Sequence, residues 1–352
     1  MTPGPTNVPS LVRDAISKPM IHHRTPEFKN IFSELTENLK YVFKTKNDVL
    51  ILTSSGTGGM EAAVCNFFSS GDKVIVCNNG KFGERFVEIC KRYGLDVIEL
   101  KYELGEAAKP SDIKNNLDSE IKGVFVTQSE TSTGICNDIK EIGNIVKKTN
   151  ALLIVDSISA LGSVDMRTDD WEVDVVIAAS QKALMGPPGL CFISVSEKAW
   201  EAYKKSNLPK YYFDLGKYKK KLQEKETPYT PAISLIIGMN ESLKFIREIG
   251  IDNFLKKHEK ISEKLRRGLI EIGFEIFPRS GLKNNGLTVV KSLPGIDSSV
   301  IINAVKEHGY VIANGQEELK GKVFRIATMG DVEEKDIDKM LDILKTIVKK
   351  FA

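Results

Sequence analysis

From about residue 30 to residue 200, short apolar runs alternate with stretches whose apolar residues fall three and four apart. The runs, each of strand length, cover residues 49–53, 73–77, 97–101, 123–127, 152–156, 175–179 and 190–195. Between them, residues 82–93 and 139–148 carry one apolar stripe each, and a further apolar helix is expected over 60–68. Most of the runs are continuously apolar instead of alternating, so they read as buried strands with both faces covered. That predicts a mostly parallel sheet between two layers of helices. Ligands of such sheets gather at the carboxyl ends of the strands, and the chemistry is sought there.

After residue 200 the pattern changes. Residues 203–227 are rich in Lys and Tyr with interleaved acids, which predicts a surface excursion and not a nucleic-acid patch. Long helices are expected over 232–249 and 252–272. A smaller α+β unit should follow, with strands at 287–291, 311–313 and 322–327 and helices at 298–308 and 333–351.

Composition narrows the classes. At 352 residues the chain is long enough for about two domains and needs no disulfide or metal staple. The 50 Lys and Arg nearly cancel the 47 Asp and Glu, so nothing demands a nucleic acid or an anionic membrane as partner. Five cysteines, with no close pair, argue against a disulfide framework and a zinc site. No run approaches 18 apolar residues, and the first 18 residues carry three prolines and no apolar core of a signal peptide. A cytoplasmic location is expected.

Three places could carry chemistry. Ser54-Ser55-Gly56-Thr57-Gly58-Gly59 follows the first apolar run directly. A Gly- and hydroxyl-rich turn into a helix offers backbone N–H groups to a phosphate. It lacks the Lys of a Walker loop, and Glu61 stands where a dinucleotide fingerprint needs its third glycine. Asp156 ends the apolar run LLIVD, where a carboxylate is costly to desolvate without a cationic partner. Lys182 lies between an apolar strand and the uncharged turn Gly186-Pro187-Pro188-Gly189, a setting suited to a Schiff-base amine. Each has a plain alternative: an ordinary turn, a helix cap, a solvated lysine. Together, a phosphate loop, an acid and a lysine at strand ends form the set that a pyridoxal phosphate site requires.

Eight motifs extend the case along nearly the whole chain: TPGPTNVP at 2–9, SSGTGGMEAA at 54–63, NGKFGERF at 79–86, SETSTG at 129–134, VDSISALG at 155–162, SQKALMGPPG at 180–189, TPYTPAIS at 227–234 and FRIATMG at 324–330. In this order they resemble the class V aminotransferases of fold-type I, in the branch of alanine–glyoxylate, serine–pyruvate and aspartate aminotransferases.

The resemblance implies an α/β fold. A large domain with a mostly parallel seven-stranded sheet would span residues 14–249. A small α+β C-terminal domain would span 250–352, joined by the N-terminal segment 1–13. It implies pyridoxal 5'-phosphate as cofactor and a homodimer with shared active sites. Lys182 would hold the cofactor aldehyde and move the substrate proton, and Asp156 would pair with the pyridine nitrogen. Phe82 would stack on the ring where many relatives carry Trp, and Thr131 would bond the ring hydroxyl. Ser55, Gly56, Thr57 and Gln181 would hold the phosphate, with Thr230 and Tyr229 reaching it from the other subunit.

Arg325 would clamp the substrate carboxylate, and the Gly4 backbone would approach the substrate. Arg24, or His23 beside it, would meet a second substrate carboxylate; a salt bridge at a helix start is the alternative. The expected activity moves an amino group from alanine, serine or aspartate to glyoxylate, pyruvate or 2-oxoglutarate. The alternative is a lyase of the same fold. A desulfurase would place His where Gln181 and Phe82 stand, and a nucleophilic Cys after Cys191, where there is none.

Overall fold

A computed structural model of the chain describes residues 1–350. The seven apolar runs become β1 (Asp48–Thr53), β2 (Lys73–Asn78), β3 (Asp96–Lys101), β4 (Ile121–Thr127), β7 (Leu152–Asp156), β8 (Val175–Ala179) and β9 (Leu190–Val195), and two short strands join them, β5 (Ser129–Glu130) and β6 (Ile135–Cys136). β5 and β6 form a small hairpin. The other seven make one sheet in the order β1-β9-β8-β7-β4-β2-β3. Only β9 runs against its neighbours, and the remaining six strands point the same way. Their carboxyl ends therefore open on one edge.

Every residue of β7, β8 and β9 is buried, as continuous apolar runs require of strands covered on both faces. One layer holds helices Pro26–Phe43, Ile139–Val146 and Ile233–Ile249; the other holds Gly56–Phe67, Lys81–Arg92 and Glu197–Tyr203. The small unit has strands β10 (Leu287–Lys291), β11 (Ala313–Asn314) and β12 (Val323–Ala327) in the order β10-β12-β11. Helices Ile251–Ile272, Ser298–Glu307 and Glu334–Val348 cover it around Phe274, Phe324 and Leu344. The expected last helix ran to Phe351, which lies outside the described residues.

The structure shifts three expected elements. The helix placed over 60–68 begins at Gly56, because Ser55 caps it by accepting from the Gly58 N–H at 3.4 Å. Its glycines are helical by close packing: a Cβ on Gly59 would meet Cys191 Sγ at 2.2 Å. The Lys-rich excursion contains a helix, Leu215–Gln223, with Leu215 and Tyr218 buried. Asn66 fixes it, donating to the Phe213 carbonyl at 2.6 Å and accepting from the Leu215 N–H at 2.9 Å. The strand expected at 311–313 lies at Ala313–Asn314, pairing Ala313 with Arg325.

The N-terminal segment ties the units together. The Met1 ammonium donates to the Val311 carbonyl at 2.8 Å, and the Ala327 N–H donates to the Met1 carbonyl at 2.9 Å. Five residues on, the Thr6 hydroxyl donates to the Lys182 carbonyl at 3.0 Å. The chain thus crosses from the small unit to the carboxyl edge of the large sheet.

Candidate active site

Four strand ends and one small-domain strand build the site. Asp156 closes β7, only 3% exposed, and its Oδ1 accepts from the Ile158 N–H at 2.8 Å. Oδ2 takes no hydrogen bond from the described residues. Burial raises this carboxyl to about 7; the Ile158 N–H, Lys182 and Arg85 oppose the rise and the Glu130 charge adds to it. Lys182 stands three residues past the end of β8, and its Nζ donates to the Pro3 carbonyl at 2.6 Å. Burial pushes its ammonium down to about 8, with Arg325 and Arg85 helping and Asp156 resisting. A lysine at this value carries a substantial neutral, nucleophilic fraction near neutrality.

The N-terminal segment presses on that amine. Gly4 sits at φ +134°, and a Cβ there would meet Lys182 Nζ at 2.6 Å. Only glycine lets the backbone pass this close.

Directly after β5, Thr131 is buried and its hydroxyl donates to Ser159 Oγ at 2.8 Å. Arg325, from β12, is 7% exposed. Its Nε donates to the Asn314 carbonyl at 2.8 Å, and one terminal nitrogen donates to the Thr131 carbonyl at 3.2 Å and to Gln316 Oε1 at 3.3 Å. Burial disfavours its charge and the Glu130 carboxylate favours it. Arg325 thereby joins the small unit to the loop beside Asp156.

The loop expected to hold a phosphate lies after β1. Ser55 caps the helix, Gly56 packs so closely on Ile158 that a Cβ would meet its Cδ1 at 2.4 Å, and Thr57 accepts from Arg85 at 3.0 Å. Gln181 keeps a buried side-chain oxygen with no partner among the described residues.

Sequence reasoning missed Glu130. Its side chain is fully buried, with one oxygen accepting from the Phe82 and Gly83 N–H groups at 2.9 and 3.1 Å and the other from the Ser132 N–H at 3.1 Å. A carboxylate across the first turn of helix Lys81–Arg92 satisfies orphan donors and the helix dipole together, and fixes where Phe82 points. Burial raises the Glu130 carboxyl, and those hydrogen bonds draw it back. Ile158 and Ser159 were also missed: two residues beyond Asp156, the chain places an apolar side chain against the phosphate loop.

Four expected residues stand elsewhere in the single chain. Arg24 pairs with Glu226 at 2.7 Å, and Lys29 holds the same acid at 2.8 Å, tying down the start of helix Pro26–Phe43. His23 stacks beside His22, ring centroids 4.6 Å apart. Tyr229 stacks on Tyr212 at 5.2 Å and donates to the Tyr211 carbonyl at 2.9 Å, while Thr230 is exposed.

The Asp156 environment gives a testable pH dependence. The folded value lies above the ordinary 3.8, so the neutral acid's contribution to stability is complete below 3.8 and lost as pH rises through about 7. Asp156→Asn removes that dependence. With no ligand bound, the variant should unfold at a higher temperature than the wild type at pH 8. The advantage should shrink by about 1.4 kcal/mol per pH unit below 7. Thermal unfolding at pH 5 and pH 8 decides, and a pH-independent difference would show that another group is responsible.

The family model described as aminotransferase class-V matches residues 6–339. The chain is 40% identical to the soluble hydrogenase 42 kDa subunit of Anabaena cylindrica, over 99% of this chain and 92% of that one. It is 35% identical to the L-aspartate–glyoxylate aminotransferase of Paracoccus denitrificans, over 94% of this chain and 86% of that one. Among solved structures, an aspartate aminotransferase from Thermus thermophilus aligns at a TM-score of 0.94 and 31% identity, over 100% of this chain and 99% of that one. A cysteine desulfurase from Thermococcus onnurineus aligns over 97% of this chain and 92% of that one, at a TM-score of 0.79 but 15% identity, a likeness of fold alone. No described helix is long and apolar enough to cross a membrane. A match over most of the chain, with the lysine, the acid and the arginine gathered at one sheet edge, places the protein in the class-V aminotransferase family.

Proposed function

We propose that the chain is a pyridoxal phosphate-dependent transaminase that moves the amino group of a small amino acid to a 2-oxo acid, with glyoxylate a leading acceptor. One observation carries the reading: the buried Asp156 carboxylate ending β7 and the Lys182 amine three residues past β8, pressed by the Gly4 backbone, stand at one carboxyl edge of the sheet within electrostatic reach of Arg325. The residues present fit the cofactor. Asp156, 3% exposed, has one oxygen bonded to the Ile158 N–H and the other taking no hydrogen bond from the described residues, suited to a protonated ring nitrogen. The unpartnered Gln181 oxygen marks a polar spot beside the lysine. When bound, the cofactor supplies an electron sink for the carbanion formed at the substrate Cα.

The chain's own residues do the rest. Lys182 holds the aldehyde and, once released, carries the proton from Cα. Asp156 keeps the ring nitrogen charged. Phe82 and Ile158 enclose the ring, Thr131 meets its hydroxyl, and Ser55, Gly56, Thr57 and Gln181 hold the phosphate. Arg325 grips the α-carboxylate, and Gly4 leaves room beside Lys182. Thr230 and Tyr229, exposed or at an aromatic surface, reach a second copy's phosphate in a homodimer. The large unit is taken as residues 14–249 and the small as 250–352, and the protein as cytoplasmic. Arg24 reads a second carboxylate only by leaving Glu226.

A half-reaction panel tests this. Alanine, serine, aspartate and glutamate are offered to the yellow protein, and loss of the visible band is followed, then its return with glyoxylate, pyruvate or 2-oxoglutarate. Alanine or serine with glyoxylate should cycle the band. A colourless protein that cannot be reconstituted would overturn the reading. In Arg24→Ala, a loss confined to aspartate would support a second-carboxylate role, and equal losses on aspartate and alanine would remove it.

A further inference from the structure

Pyridoxal phosphate carries a dianionic phosphate, yet none of the groups assigned to it above is cationic. Ser55, Gly56, Thr57, Gln181, Thr230 and Tyr229 offer hydroxyls and amides. The amino end of helix Gly56–Phe67 supplies roughly half a positive charge, too little to balance two negative ones. The missing charge stands one turn beyond Phe82.

Arg85 donates to Thr57 Oγ1 at 3.0 Å, and its guanidinium carbon lies 4.7 Å from the centroid of the Phe82 ring. Arg85 is half-buried, and no carboxylate of the described residues forms an ion pair with it. Its charge is felt at Asp156 and at Lys182, which places it within the electrostatic reach of the site.

The direction of the Thr57 hydrogen bond has a consequence. A guanidinium only donates, so the Thr57 oxygen must accept, and the hydroxyl hydrogen is left to point elsewhere. Arg85 therefore polarises Thr57 as a donor at the amino end of a helix. The remaining guanidinium N–H groups form a fork suited to phosphate oxygens. Stacking on Phe82 holds that fork in place.

We infer that Arg85 is the cation of the cofactor's phosphate site, neutralising the phosphate and orienting the Thr57 hydroxyl toward it. This rests on the pyridoxal phosphate reading. Arg85 should thus separate the phosphorylated cofactor from its dephosphorylated form, which a residue that only shaped the ring pocket would not do.

The test is binding, measured by absorbance on the full-length protein freed of cofactor, with pyridoxal phosphate and with pyridoxal as probes. Arg85→Gln should weaken pyridoxal phosphate by about 10- to 100-fold and leave pyridoxal within about twofold. Arg85→Lys, which keeps the charge and loses the fork, should fall between. Inorganic phosphate should raise the melting temperature of the cofactor-free wild type and not that of Arg85→Gln. Thr57→Val should cost less in the Arg85→Gln background than alone, since the two side chains act as a unit. Equal losses for both probes, or no loss in either variant, would overturn the assignment. Wild-type protein that binds neither probe would overturn the cofactor reading beneath it, an outcome distinct from the other two.

Discussion

Replacing Lys182 with alanine should abolish transamination, lowering kcat by at least about 10⁴-fold, because in the proposed mechanism one amine both holds the aldehyde and moves the substrate proton. Its surroundings suit both tasks. Burial brings the amine to about 8, so near neutral pH it is present in both protonation states. The Pro3 carbonyl, 2.6 Å away, receives its hydrogen bond, and the passing Gly4 backbone limits where the ammonium can go. Lys182→Ala should keep the fold, since the Thr6 contacts go to the backbone carbonyls of residues 181 and 182 and survive the change. It should still bind pyridoxal phosphate without covalent attachment, so borohydride should fix the cofactor to the wild type and not to the variant. A small primary amine in solution should restore part of the proton transfer. Turnover in the variant within tenfold of wild type would show that another base does the work.

Much of this site could be read from the chain, and the reason is topological. A strand buried on both faces announces itself by continuous apolar residues, so its polar last residue stands out. Asp156 after LLIV and the loop after β1 are of this kind, and six co-directed strands bring such ends to one edge. What could not be read depends on contacts between distant residues. Glu130 looks like an acid in a loop until helix Lys81–Arg92 is seen to start over it, 48 residues earlier in the chain. Pro3 meets Lys182 across 179 positions, which no local pattern encodes. The early start of helix Gly56–Phe67 was hidden because glycine is a poor helix former. Here it is chosen for the space that Cys191 and Ile158 occupy. Arg85 was overlooked for a related reason: in NGKFGERF it reads as the solvated face of an amphipathic helix, and only its place opposite Thr57 gives it a task.

Arg325 should set the preference for amino acids over simple amines. Three of its hydrogen bonds go to neutral acceptors, the carbonyls of Asn314 and Thr131 and the side-chain oxygen of Gln316, and none to a carboxylate. The guanidinium is therefore oriented without being neutralised, and it is buried, where an unbalanced charge attracts an anion strongly. The proposed function assigns that place to a substrate α-carboxylate. Losing a buried charge-assisted pair of this kind costs about 2–4 kcal/mol, or about 30- to 1000-fold in kcat/KM.

Arg325→Gln and Arg325→Lys should lose activity with alanine by these factors, mainly through KM, the lysine variant less than the glutamine. Ethylamine, which has no carboxylate, should react slowly with the wild type and at nearly the same slow rate with both variants. The ratio of alanine to ethylamine reactivity is the quantity to measure, because a general loosening of the fold would lower both together. Arg325 also spans the two units through the Thr131 carbonyl, so some loss of thermal stability is expected in either variant. A parallel fall for alanine and ethylamine would make Arg325 a brace between the units instead of a carboxylate clamp. A selective fall for alanine assigns it the substrate.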